Sequence, residues 1–258
     1  MRDFKIFFFK VGNGHCSYIE FPNSQNGLID VKVSKERNDD NVIDILKSAN
    51  ISNIDYLFIT HPHQDHIGGL SELVKNFKIG TFIYSPIYFK PNPIYDDWTT
   101  YEQMKRGYYC SQKYEVTEGW KTQVDKETRI DYLAPIKYLL ANQPDNVNNN
   151  GLLLKINCRG HNILLPGDIE EDGWEYIKDD YIKGITLLLA AHHGNNSGFN
   201  LNKIRTMNLA LSVISAGEKT EYDADAKYKR QVRKNVYTTR QNRIVAKIDE
   251  SNILHMID

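Results

Sequence analysis

Between Ile59 and Gly69 the chain reads ITHPHQDHIGG, which places His61, His63, Asp65 and His66 within six residues. Imidazole and carboxylate groups at this density are metal ligands, and the set suits zinc, manganese or iron. His61 and His63, at i and i+2, point the same way from an extended turn. Asp65 and His66 open the next helix and face a neighbouring point. Four such donors in one short loop serve two adjacent metals more naturally than one. The same arrangement recurs twice downstream. NILLPGDIEE is a buried strand ending in Gly167 and Asp168, and an aspartate there can bridge two metals. GITLLLAAHHG presents His192 and His193 at another strand end. One of that pair is a candidate ligand, and the other is placed to hydrogen-bond substrate or support a ligand.

Two divalent metals about 3.5–4 Å apart hold a bridging hydroxide as nucleophile and stabilise a charged transition state. Asp65 would orient that hydroxide or take its proton. The leaving oxygen needs a proton or a cation, for which the spare histidine of the His192/His193 pair and Lys219 are the candidates. Phosphodiesters, lactams, lactones and thioesters are all open to such a site.

The elements that must position these residues are mostly strands. FKIFFFKV, CSYIEF, GLIDVKV, IDYLFIT and TFIYSPIYF read as strands in the first part of the chain. NDDNVIDILKSAN and LSELVKNF read as helices, the first with an N-cap candidate. Residues 90–143 are rich in Tyr and Trp and broken by Pro91 and Pro93. They are expected to form an insertion or lid, with one helix in YDDWTTYEQMKRGYY. From Asn149 the strand pattern resumes. GLLLKINCRGHNILLPGD is a hairpin turning at RGHN, EEDGWEYI starts a helix, LALSVIS is a strand, and NRIVAKID with NILHMI closes the chain as a hairpin. Interleaved helices with strands in both halves argue for one domain over residues 1–258, with helices outside two sheets.

Composition narrows the classes. The chain has 258 residues, a formal net charge of -1, 41% hydrophobic and 25% charged residues, all ordinary for a globular protein. Whole-chain charge therefore does not point to nucleic acid or membrane. Cys16, Cys110 and Cys158 are far apart with no CxxC spacing, so a reducing compartment is expected and the protein is read as cytoplasmic. No apolar run has the length of a membrane span, and the opening MRDFKIFFFK lacks the features of a signal peptide.

HxHxDH, a strand ending in Gly-Asp and a strand ending in His together resemble the metallo-β-lactamase superfamily. The resemblance implies an αββα sandwich with a dinuclear site at one edge of the sheets. LIDVK matches that family's first motif, so Asp30 is implied to support the site by hydrogen bonding rather than by binding metal. The chain is further similar to the metallo-β-lactamase-like domain of ComEC-type competence proteins. VGNGHC stands where that group has VGQGD, with His15 in place of the aspartate, and LLPGDIEE, HHGNNSG and TTRQNRIVAKID match its later motifs. Many superfamily members carry a third histidine for the first metal between the HxHxDH loop and the Gly-Asp strand. This chain has no histidine between His66 and His161. The ComEC-like pattern has an asparagine there, and Asn148, Asn149 and Asn150 are the candidates, Asn148 being taken as a weak ligand or supporting residue. The implied result is a tighter site of Asp65, His66, Asp168 and His192 or His193, and a looser one of His61, His63 and Asp168, holding zinc or manganese.

ComEC-like domains are associated with DNA degradation, so a nuclease or phosphodiesterase is the expected activity and nucleic acid the expected partner. The stretch KYKRQVRKNVYTTRQNR concentrates cations, and Arg230, Arg233 and Lys234 are candidates for holding a phosphate backbone. The aromatic stretch would stack bases. Two other readings compete: a small-molecule hydrolase acting on a cyclic nucleotide, lactone or phosphoester, and a non-catalytic partner module that retains the fold. A deep closed pocket would favour the former; an open basic groove favours the nuclease.

Overall fold

The computed structural model describes residues 2–257. Its strands, in chain order, are β1 (Phe4–Phe8), β2 (Ser17–Glu20), β3 (Asn26–Ile29), β4 (Asn53–Ile59), β5 (Lys78–Tyr84), β6 (Cys110–Glu115), β7 (Lys121–Gln123), β8 (Thr128–Ala134), β9 (Leu153–Cys158), β10 (His161–Leu165), β11 (Leu187–Leu189), β12 (Leu211–Ile214), β13 (Asn235–Thr238), β14 (Ile244–Ile248) and β15 (Leu254–Ile257). Between them run α1 (Val42–Ser48), α2 (Gln64–Ile67), α3 (Leu70–Asn76), α4 (Asp96–Lys105), α5 (Lys137–Asn142), α6 (Glu171–Trp174), α7 (Asp179–Ile182), α8 (Leu201–Met207) and α9 (Asp225–Gln231).

Two mixed sheets result, ordered β15-β14-β1-β2-β3-β4-β5-β6 and β13-β12-β11-β10-β9-β8-β7. Their inner faces share one apolar core. Phe4, Ile6, Phe8, Phe58, Ile130, Tyr132, Leu154, Ile163 and Val213 meet there, the alternate residues of each strand as the pleat requires. The outer face of the first sheet packs Leu57, Ile59 and Phe82 against Leu46, Leu73, Tyr101 and Met104 of its helices. The outer face of the second packs Leu164 and Leu188 against Trp174, Ile204, Met207 and Tyr228. The order of layers is thus helix, sheet, sheet, helix, as the sequence predicts. Asn41 caps α1 through its side chain, which accepts from the Asp44 amide.

Residues 90–143 depart from expectation. The sequence predicts a helix and no strand there; α4 is present, but so are β6, β7 and β8. β6 extends the first sheet parallel to β5, and β8 pairs antiparallel with β9 inside the second. The stretch therefore carries the chain from one sheet to the other. β6 and β7 sit at sheet edges with nearly every residue exposed, so neither shows an apolar pattern.

Within each sheet a parallel block, β3-β4-β5-β6 and β10-β11-β12-β13, delivers its carboxyl ends to the same edge of the sandwich. That edge receives Asp30 after β3, the HxHxDH loop after β4, Asp168 after β10, and His192 and His193 after β11. Loops at strand carboxyl ends are where open α/β sheets build their sites.

Candidate metal centre

Asp168 is the hub. It is buried, and its Oδ2 lies 3.8 Å from His61 Nε2, 3.2 Å from His66 Nε2, 3.7 Å from His192 Nε2 and 3.4 Å from His193 Nε2. The tightest set is Asp65, His66, Asp168 and His193, whose donor atoms all lie within 4.8 Å of one another. Of the two adjacent histidines, it is therefore His193 that joins Asp65 and His66. The rings of His61 and His63 stand edge to face at 4.7 Å, beside that set.

The supporting hydrogen bonds explain why the rings point inward. Asp30, fully buried and left-handed at φ 56°, accepts from the Thr60 amide at 2.7 Å and the Thr60 hydroxyl at 2.8 Å. Its Oδ2 lies 2.7 Å from His66 Nδ1 and so fixes that ring. Thr60 Oγ1 also reaches His61 Nδ1 at 3.1 Å. His193 Nδ1 bonds the carbonyl of Ser215 at 3.1 Å, and His192 Nδ1 meets Ser197 Oγ at 2.8 Å. Thr60, Ser197 and Ser215 have no motif of their own, and sequence reading missed them; the serine of HHGNNSG was the one available signal.

Electrostatics follow from this crowding. Burial pushes Asp168 up, but His66 and His193 outweigh it and hold its carboxyl well below the usual range. Asp65 is likewise low: its contacts with His193 and His66 overcome burial. Burial pulls His66 and His193 down, yet Asp168, with Asp30 for one and Asp65 for the other, lifts both, His193 to about 9. His61, buried with His66 beside it, is pushed well below its ordinary value. A histidine whose folded pKa is raised lends stability below about pH 6.5 and loses it as pH rises through the folded value. Without metal, the melting temperature is therefore expected to fall between about pH 6.5 and 9. Loaded with zinc, which requires these nitrogens unprotonated, the protein should lose that decline. Melts in chelator and in zinc across this range check it, and a flat metal-free profile would count against proton sharing between His193 and Asp168.

The residues fit a metal. His61 Nε2 is buried with no hydrogen-bond partner although Asp168 faces it, and such an orphan is costly unless an ion completes it. The donors are imidazoles and carboxylates, the chemistry of zinc and manganese sites.

Other candidates fall further out. Asn148 donates to Glu170 Oε1 at 3.3 Å, which in turn lies 3.4 Å from His192 Nδ1, so it touches the site through Glu170; its Oδ1 is buried without a partner. Asn149 Oδ1 is taken by the Glu170 amide at 2.8 Å, and the Asn150 side-chain amide donates to the Gln143 carbonyl. His15 is buried, bonds Ser17 at 2.8 Å and stacks on His66 at 6.3 Å. Burial pushes its pKa down to about 4, and His66 and His193 push the same way. His161 bonds the Asn252 carbonyl at the far end of its hairpin. Lys219 is exposed on the loop that follows Ser215.

The basic candidates separate. Arg230 lines a groove of about 330 Å3 with Lys227, Asn196 and Phe199, directly downstream of His193. Arg233 and Lys234 do not join it: their amides bond Leu209 and Ala210, before β12, whereas Ser215 at the metal edge follows β12. β13 runs parallel to β12, so residues just ahead of it lie at the opposite end of the sheet. Arg240 reaches the metal end but is committed to Asp223 and Asp225, each at 2.8 Å.

A sandwich of this layering, with histidine and aspartate ligands gathered at one edge, defines a class. A family model described as the metallo-beta-lactamase superfamily matches residues 37–199. The chain belongs to this superfamily. It is 28% identical over 183 residues to ComE operon protein 3 of Bacillus subtilis (strain 168), which covers 70% of this chain but 22% of that protein. The chain thus spans about a fifth of that relative's length. Among solved structures it is similar to the metallo-beta-lactamase fold protein YhfI from Bacillus subtilis, with TM-score 0.55 and 11% identity over 93% of this chain and 98% of that one. It is also similar to a diphosphatase from the PhnP family, with TM-score 0.52 and 11% identity over 94% and 87%. At these identities the structural likeness speaks to fold.

Proposed function

We propose that this chain is a metal-dependent phosphodiesterase that cleaves nucleic acid. The observation that carries the reading is what flanks the metal centre. Phe89 stands edge to face on His63 at 5.1 Å, with Tyr88 beside it exposed to solvent. Downstream of His193, Lys227 lies 5.4 Å over the Phe199 ring and shares the open groove with Arg230. Aromatic faces hold bases and cations hold the backbone of a strand. The side chains of Asp65 and His192 are 40% and 26% exposed, which supports access by a polymer over a site sealed around a small molecule. The sequence resemblance to DNA-degrading competence domains and the existence of a diphosphatase with this fold support chemistry at phosphorus.

His61, His63, Asp65, His66, Asp168, His192 and His193 would hold two zinc or manganese ions. Bound there, the metals supply Lewis acidity toward phosphoryl oxygens and lower the pKa of water. Asp65, ionised and partly exposed, is placed to orient the attacking water. Thr60 and Asp30 keep His61 and His66 aimed, and Ser197 does so for His192. Lys227 and Arg230 position the backbone.

The test is a turnover screen of manganese- and zinc-loaded protein on single-stranded DNA, duplex DNA, RNA and bis-p-nitrophenyl phosphate. Lys227→Ala with Arg230→Ala should raise KM for the polymer and shallow its log–log salt slope by roughly 0.7–0.9 for each phosphate no longer neutralised. Arg233→Ala with Lys234→Ala should change neither. Turnover confined to small esters, or a KM for polymer that ignores Lys227 and Arg230, would overturn the reading.

A further inference from the structure

We propose that His192 and His193, although adjacent, ligate different metals: His193 completes the site of Asp65 and His66, and His192 completes the site of His61 and His63. The assignment rests on the metal-centre reading above and specifies which donors share an ion.

Four histidines in this site have the same wiring. In each, Nδ1 is occupied: His61 by Thr60 at 3.1 Å, His66 by Asp30 at 2.7 Å, His193 by the Ser215 carbonyl at 3.1 Å and His192 by Ser197 at 2.8 Å. In each, Nε2 is left facing Asp168 Oδ2, at 3.2–3.8 Å. Two donors on one ion, each about 2.0–2.2 Å from it, stand roughly 3–4 Å apart. His192 therefore meets the distance and orientation of a ligand as fully as His66 does.

Its side of the centre is fixed by its neighbours. His193 Nε2 lies 3.2 Å from His66 Nε2 and 3.4 Å from Asp65 Oδ2. His192 is absent from that four-donor set. Its Nε2 lies 3.7 Å from the same Asp168 Oδ2 that His61 Nε2 faces at 3.8 Å. His61 faces Asp168, and the His63 ring stands 4.7 Å from that of His61; two imidazoles and the carboxylate would leave one place in a four-coordinate site.

The backbone supplies the means. In an extended strand, adjacent side chains point to opposite faces. Here His192 (φ 49°), His193 (φ 54°) and Gly194 (φ 76°) are all left-handed, and the two rings stand 6.3 Å apart at 62°. Consecutive left-handed residues with side chains are costly and persist where surrounding structure enforces them. The His192 amide is tied to the Gly167 carbonyl at 3.1 Å, next to Asp168. This turn lets both neighbours reach one carboxylate from two sides.

The experiment is elemental analysis of the 258-residue protein dialysed against zinc, with melting curves to confirm folding. Wild type should hold two metals per chain. His192→Ala and His193→Ala should each hold one. His61→Ala combined with His192→Ala should still hold one, since both lie on the same ion, whereas His192→Ala combined with His193→Ala should hold none. Ser197→Ala, which leaves the turn intact, should keep both metals but weaken one about 10- to 100-fold. Two tightly held metals in His192→Ala, or loss of both in the His61/His192 pair with one retained in the His192/His193 pair, overturns the assignment while the metal centre stands. Wild type that takes up no zinc overturns both.

Discussion

Asp168→Ala is expected to strip both metals and to lower hydrolysis at least about a thousandfold, a loss of roughly 4 kcal/mol of transition-state stabilisation. The reason is the convergence on one atom: four imidazole nitrogens lie 3.2–3.8 Å from Asp168 Oδ2. No other side chain among the described residues faces both halves of the centre in this way. Without the carboxylate, His61, His66, His192 and His193 would crowd together with Asp65, Asp30 and Glu170 as their nearest counter-charges, and protonation would compete with any ion. Asp168→Asn tests the charge apart from the shape, because a neutral amide is a much weaker ligand than a carboxylate. Metal content and turnover are the measurements. An Asp168→Asn protein with two bound metals and near-normal turnover would remove Asp168 from the mechanism.

Asp30→Ala is expected to cost about 3–5 kcal/mol of stability and so to lower the melting temperature by roughly 6–20 °C. The carboxylate is inaccessible and accepts from the Thr60 amide and hydroxyl while holding His66. Truncation leaves all three without their acceptor. It also places alanine at φ 56°, a conformation that asparagine tolerates better. Asp30→Asn separates the two roles. It should unfold at a temperature closer to wild type yet bind metal about 10- to 100-fold more weakly, because the orienting carboxylate is gone. Thermal melts and zinc titrations of the pair decide this. Equal metal affinity in Asp30→Asn and wild type would sink the orienting role.

The layered fold and the ligand loop were legible because each ligand follows a strand that is apolar and bounded by turn residues. IDYLFIT before His61 and NILLPGD ending in Asp168 both carry that pattern. What was not legible has identifiable causes. Strands β6 and β7 are exposed edges, so their composition (CSQKYE and KTQ) is polar and carries no period. The aromatic richness of residues 90–143 also masked the alternation of Ile130 and Tyr132 in β8, which are buried in the inter-sheet core. The division of labour between His192 and His193 depends on a left-handed turn, which spacing does not encode. The cationic stretch looked continuous along the chain, but the parallel direction of β13 carries Arg233 and Lys234 to the far end, while Lys227 and Arg230 remain by the groove.

The candidate ligands come from both sheets. His61, His63, Asp65 and His66 leave the first, and Asp168, His192 and His193 leave the second, about a hundred residues later. An ion held between them is a cross-link in the topological sense. It closes a long loop in a chain whose cysteines are all unpaired, and a covalent bond closing a loop of that length would stabilise by about 4–5 kcal/mol in the chain-entropy description. Loaded with an ion, the centre would therefore also be the clasp of the sandwich. During synthesis the first half of the ligands emerges long before the second, so a stable clasp has to wait until the second sheet has formed and docked. Acquisition of metal then reports that the two halves have met in register.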